Sequence, residues 1–118
     1  MQKSILIVDD NPDMSTLLME MLEVFDYQAE RAGSGAEALQ VLEDGKFSMM
    51  ITDMRMPNMT GLELIQEVKK RHPKLPVVLI SGYNVSDSEA SAAGAKPDGF
   101  LAKPFMMSDI ESLLEKLL

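Results

Sequence analysis

Ile5-Leu6-Ile7-Val8-Asp9-Asp10-Asn11-Pro12 is the stretch that decides the fold. Its four continuous apolar residues, three of them β-branched, suit a strand buried on both faces, as at the centre of a parallel sheet. Asn11 followed by Pro12 supplies a helix N-cap and a proline fitted to the first helical position. Strand, acidic pair and helix start follow without a break, which is the opening of a βα unit. Working outward, Val77-Val78-Leu79-Ile80 repeats the buried-strand pattern, and Phe47-Ser48-Met49-Met50-Ile51 reads the same way. Weaker strands are expected at Gln28–Ala32 and Gly99–Ala102. Between the strands, Met14, Leu17, Leu18, Met21, Leu22 and Phe25 fall on one helical face, and Ile110, Leu113, Leu114 and Leu117 on another. Leu62, Leu64, Ile65 and Val68 form a third stripe. Ser34…Glu37, Thr60…Glu63, Ser86…Glu89 and Ser108…Glu111 fit the capping box. Strand and helix signals alternate throughout, predicting a (βα)5 α/β domain with helices on both faces of one five-stranded, doubly wound parallel sheet. The fourth helix, at about residues 86–93, has little apolar area to bury and is expected to be the least stable.

Composition narrows the function. At 118 residues the chain has the size of one domain, expected to span 1–118 with no effector domain of its own. With no cysteine, disulfide scaffolds and thiolate metal sites are excluded. A net charge of −8 disfavours direct nucleic-acid binding, because neutralising phosphates needs a basic face. No apolar run reaches the ~20 residues of a membrane span, and the N-terminus lacks a signal peptide's apolar stretch. A soluble, cytoplasmic domain without a membrane partner is expected.

In a parallel sheet, ligands bind beyond the carboxyl ends of the strands. The first strand runs into Asp9 and Asp10, the third into Asp53, the fourth into Ser81 and the fifth into Lys103-Pro104. Three carboxylates meeting at one rim repel one another, and a divalent cation relieves that repulsion. Oxygen ligands without His or Cys indicate Mg²⁺, with Mn²⁺ as the alternative. Lys103 supplies a positive charge and Ser81 a hydroxyl donor for an anionic group on Asp53. An aspartate held in this way can attack phosphorus and become an aspartyl phosphate. Taken singly, each of these is an ordinary cap or loop residue. Their conjunction at one rim carries the reading.

The segments Ile5-Leu6-Ile7-Val8-Asp9-Asp10, Thr52-Asp53-Met54-Arg55-Met56-Pro57-Asn58-Met59-Thr60-Gly61, Ile80-Ser81-Gly82 and Phe100-Leu101-Ala102-Lys103-Pro104-Phe105 resemble the receiver domain of bacterial two-component response regulators. The spacing agrees, with 43 residues from Asp10 to Asp53, 28 on to Ser81 and 22 on to Lys103. The resemblance covers nearly the whole chain. It implies a flavodoxin-like fold with strand order 2-1-3-4-5, an order for which a chemotaxis receiver is a standing example. It implies that Asp53 takes a phosphoryl group from a phosphohistidine on a sensor histidine kinase or phosphotransfer protein. Asp9, Asp10, Asp53 and the backbone carbonyl of Arg55 would hold Mg²⁺, and Lys103, before a commonly cis Pro104, would pair with the phosphoryl group. Ser81 and Phe100 would form a switch pair that reshapes an output face made by the fourth helix, fifth strand and fifth helix, for an unknown downstream protein or effector domain. Whether copies pair as a homodimer is left open, as is whether the chain is free-standing or part of a longer regulator. The Met1 start slightly favours the former.

Some features depart from the pattern. Phe100 stands where Tyr is frequent, and without a phenol oxygen its ring is expected to favour the buried position before phosphorylation. Lys96-Pro97-Asp98-Gly99 lengthens the loop before the fifth strand, shortening the fourth helix. Arg55 and Tyr83 would flank the phosphoryl group, either shielding it or simply exposed. His72 before Pro73 suits a helix C-terminus rather than a ligand role. Met14, Met21, Met49 and Met50 suit core filling, while Met54, Met56 and Met59 could offer an adaptable partner surface. Two other functions compete. A phosphohydrolase with an aspartate nucleophile is disfavoured, because Asp53-Met54-Arg55 lacks a second acid and no cap insertion encloses a substrate. A phosphorylation-independent interaction module has no use for an intact polar rim. The reading is therefore a phosphoryl-accepting switch, not a turnover enzyme.

Overall fold

The computed structural model describes residues 3–54, 59–81, 97–102 and 105–118, Ser81 and Ala102 by their backbone alone. The described elements run β1 (Ser4–Val8), α1 (Pro12–Val24), β2 (Gln28–Ala32), α2 (Gly35–Asp44), β3 (Met49–Asp53), α3 (Gly61–Arg71), β4 (Val77–Ser81), β5 (Gly99–Ala102) and α4 (Met107–Leu117). The last is the fifth helix of the sequence pattern. The fourth candidate, with its Ser86 cap, lies outside the described residues.

All four strand pairings are parallel, in the order β2-β1-β3-β4-β5 that the family resemblance implies. The alternation of side chains along each strand divides the core into two layers. Ile5 and Ile7 of β1, Met49 and Ile51 of β3, and Val78 and Ile80 of β4 pack against Leu18, Met21 and Leu22 of α1 and Ile110 and Leu114 of α4. On the opposite face Leu6, Val8, Met50, Val77 and Leu79 meet Ala38 and Leu42 of α2 and Leu64, Ile65 and Val68 of α3. Because both faces are covered, the central strands read as unbroken apolar runs.

Some boundaries differ from expectation. β3 starts at Met49 rather than Phe47 and continues through Thr52 to Asp53. Its ladder is set by partners on both sides, with Ile5 opposite Met49 and Ile80 opposite Asp53, so polarity does not end it. Phe47 instead packs half-buried against the α2–α3 layer. Leu17 lies one residue, about 100° of rotation, from Leu18 and is 47% exposed, so it leaves the α1 core stripe.

The caps show why the helices start where they do. Asn11 Oδ1 accepts from the Asp13 N–H at 2.9 Å, with Pro12 in the first turn. Thr60 and Glu63 make the full reciprocal box, at 3.2 and 3.3 Å. Ser34 accepts from the Glu37 N–H, but the Glu37 carboxylate reaches one residue further back, to the Gly33 N–H. The expected Ser108 cap is corrected: α4 begins two residues earlier in register, with Met106 at the cap and the Asp109 carboxylate accepting from its N–H at 2.7 Å. Asp109 does this from the third helical position, where the glutamate of a capping box sits. Thr60→Ala is expected to cost about 1 kcal/mol of stability, read as a lower urea midpoint at unchanged slope.

At the far edge, Asp98 fixes the start of β5. Its Oδ2 accepts from Lys69 Nζ at 2.6 Å and from the Val77 N–H at 2.8 Å, joining β4, β5 and the end of α3. His72 caps α3 at its C-terminus, its N–H donating to the Val68 carbonyl, as expected. Met21, Met49 and Met50 are core residues, and Met14 packs half-buried against the layer that holds Met21 and Met49. No helix among the described residues is long and apolar enough to cross a membrane.

Candidate functional site

The β1–β3 pairing sets Val8 opposite Thr52, so the next residues, Asp9 just past β1 and Asp53 at the end of β3, stand side by side. Asp10 follows on the same loop. One carboxylate oxygen from each of Asp9, Asp10 and Asp53 lies within 4.8 Å of the other two. Asp9 is 2% exposed and Asp53 9%, while Asp10 faces solvent. At such separations two carboxylates repel by about 3 kcal/mol at an effective dielectric of about 20, so the cluster needs a counter-charge. Three oxygen donors, two of them largely buried and one open to solvent, fit a hard divalent cation that keeps part of its water shell.

Backbone bonds hold these loops in place. The Asp9 N–H donates to the Ala32 carbonyl at 3.1 Å, and the Asn11 N–H to Asp9 Oδ1 at 2.9 Å. That second bond orients the buried carboxylate, while Asn11 simultaneously caps α1. After Asp53, the Met54 N–H donates to the Ile80 carbonyl at 3.0 Å and the Gly61 N–H to the Met54 carbonyl at 2.8 Å. The buried Thr52 hydroxyl donates to the Asp53 carbonyl at 3.0 Å.

Gly61 is the residue that sequence reading left without a role. A Cβ there would stand 2.2 Å from the Asp53 carbonyl oxygen and 2.9 Å from Leu79 Cδ1. Only glycine lets α3 start this close against the backbone of Asp53. The signal was in the sequence: a glycine straight after the Thr60 cap, where alanine is the better helix former.

Of the other expected site residues, Ser81 is described by its backbone. It ends β4 opposite Ala102 of β5, one residue before position 103. Lys103, Pro104, Arg55 and Tyr83 lie outside the described residues. Phe100 is half-buried and packs against the α2–α3 layer. Met54 and Met59, considered above as a partner surface, are half-buried against that same layer, and Met56 lies outside the described residues.

Comparison with known proteins agrees with this geometry. A sequence model of the response regulator receiver domain matches residues 5–115. The chain is 36% identical over 109 residues to the response regulator protein PilR of Pseudomonas aeruginosa, covering 92% of this chain and 24% of PilR. It is 31% identical over 116 residues to the response regulator receiver protein CpdR of Brucella abortus, covering 98% of this chain and 97% of CpdR. The chain thus spans about a quarter of PilR and nearly all of CpdR. Among solved structures, the response regulator protein TrrA of Thermotoga maritima in complex with Mg(2+)-BeF superposes with a TM-score of 0.89 at 32% identity, over 99% of this chain and 100% of TrrA.

Proposed function

Since the chain belongs to the family of response regulator receiver domains, we propose that it is a phosphoryl-accepting switch with Asp53 as the acceptor. The observation that carries this reading is the meeting of three carboxylates from neighbouring strand ends within 4.8 Å. Asp9, Asp10 and Asp53 would hold Mg²⁺, with the Arg55 carbonyl as a further ligand. When bound, the ion would neutralise the cluster and the charge on the incoming phosphoryl oxygens.

The step itself is a displacement. An Asp53 carboxylate oxygen attacks phosphorus, a new P–O bond forms, and the P–N bond of the phosphohistidine breaks with its electron pair passing to nitrogen. The β1 and β3 ends supply positioning, through the bond from Asn11 to Asp9 and the Gly61 contact with the Asp53 backbone. Lys103 would pair with the phosphoryl group after transfer. Ser81 and Phe100 would then favour one of two packings of the output face, a population shift. The donor would be a sensor histidine kinase or phosphotransfer protein in the cytoplasm, and the receiver of the signal a downstream protein or effector domain. The Mg(2+)-BeF complex of TrrA supports the metal assignment by likeness.

The test is intact mass after incubation with acetyl phosphate and Mg²⁺. One added phosphoryl group is expected, with uptake suppressed at least tenfold by EDTA. Steady release of inorganic phosphate far beyond one equivalent from varied small phosphoesters would instead indicate a hydrolase.

A further inference from the structure

Arg31 occupies an unusual position on the edge strand. It pairs in register with Ile7 of β1, which packs on the α1 side of the sheet. Its exposed side chain crosses to α1, where Nε donates to Ser15 Oγ at 3.2 Å and Nη2 reaches the Asp10 carbonyl at 3.5 Å. Ser15 is fully buried, and its hydroxyl donates to the Asn11 carbonyl at 3.2 Å. Asn11 in turn donates its N–H to the Asp9 carboxylate at 2.9 Å. A continuous chain of polar contacts therefore runs from β2 through Arg31 and Ser15 to the β1–α1 loop that carries two of the three acids.

A charged residue on an edge strand has an ordinary use, since it blunts pairing with other chains. Glu30 beside it serves that purpose as well. What distinguishes Arg31 is the fork. Two of its nitrogens reach the first turn of α1 and the loop before it, at Ser15 and Asp10, and none of the ion pairs among the described residues involves it.

We infer that Arg31 is a positioning residue for the divalent-cation site, holding the Asp9–Asp10 loop through Ser15 and the Asp10 carbonyl. The inference rests on the proposed metal-binding role of the cluster. Groups that orient metal ligands typically govern affinity by 10–100-fold. For an exposed side chain with contacts at 3.2 and 3.5 Å, an effect of about three- to tenfold follows. The sign is diagnostic. A cation near an acidic cluster opposes Mg²⁺ binding by charge alone, so a purely electrostatic role predicts tighter binding when Arg31 is removed. A positioning role predicts weaker binding.

The experiment is calorimetric titration of the unphosphorylated protein with MgCl₂, for wild type, Asp10→Asn, Arg31→Ala and Arg31→Lys, each with its urea midpoint recorded. Expected are measurable binding by wild type, its near loss in Asp10→Asn, and affinity lowered about three- to tenfold in both Arg31 variants. Arg31→Lys keeps the charge and loses the fork. The phosphorylation rate of the Arg31 variants should return to the wild-type level at saturating Mg²⁺. Arg31→Ala binding as tightly as wild type, or more tightly, overturns the inference while leaving the metal site intact. Wild type that takes up no Mg²⁺ overturns the metal reading and this inference together.

Discussion

Gly61→Ala is expected to destabilise the domain by about 2–3 kcal/mol and to slow phosphoryl uptake on Asp53 about 100-fold. Two effects compete at this position. Alanine is the better helix former by about 1 kcal/mol, so propensity alone predicts stabilisation. Against it stands a Cβ 2.2 Å from the Asp53 carbonyl oxygen, a contact with backbone that no side-chain rotation relieves. Overpacking of this kind costs typically 1–3 kcal/mol and sometimes more, so sterics win. The same displacement shifts β3 or α3 by a good part of an ångström, and misplacement on that scale can cost about 100-fold in rate. Gly33→Ala is the control. Its Cβ would find its nearest neighbour, Arg31 Nη2, at 3.5 Å, which is ordinary contact, so stability and uptake should be near wild type. Urea unfolding and the rate of mass increase with acetyl phosphate measure both. A Gly61→Ala protein as stable and as fast as wild type would remove the positioning role given to this glycine.

Asp53→Asn is expected to lower phosphoryl uptake by more than about 1000-fold while raising stability in EDTA by about 1 kcal/mol. The carboxamide keeps the shape and an acceptor oxygen but is no nucleophile toward phosphorus. It also removes one of three like charges within 4.8 Å, and that relief, weakened by solvent and salt at the Asp10 side, is what stabilises the variant. Adding Mg²⁺ should then stabilise wild type more than Asp53→Asn, because a ligand that binds only the folded state raises stability by RT ln(1 + [L]/Kd), which is larger for the tighter site. Opposite movements of activity and stability in one variant are the mark of a functional cluster. If Asp53→Asn lost stability in EDTA, the three acids would be a structural network rather than a strained site.

Much of this was legible in the chain. The central strands announce themselves because both faces are covered, which makes Ile5–Val8 and Val77–Ile80 continuous apolar runs. Side-chain caps are local chemistry, so Asn11 and Thr60 were readable from neighbours alone. The end of β3 was not, because pairing with Ile80 carries the ladder through Thr52 and Asp53 after the apolar run has stopped. The α4 cap was misread because Ser108 offered the usual hydroxyl, while Asp109 reaches back to Met106 from within the helix. The acidic cluster followed from strand ends, since parallel register brings the residues after Val8 and Thr52 together. Gly61 and Arg31 escaped notice for a shared reason. Each acts through a contact with another element of the fold, and the one local sign, a glycine straight after the Thr60 cap, does not name its partner.

The central claim is that the phosphoryl group is carried by the Asp53 carboxylate, and the most direct measurement locates it chemically. Wild-type protein phosphorylated with acetyl phosphate and Mg²⁺ would be reduced with borohydride, digested and sequenced by mass spectrometry. An acyl phosphate is reduced to the alcohol, so homoserine at position 53 alone is the expected result. Homoserine at Asp9 or Asp10, or a phosphoryl group that resists reduction and sits on another residue such as His72, would contradict it.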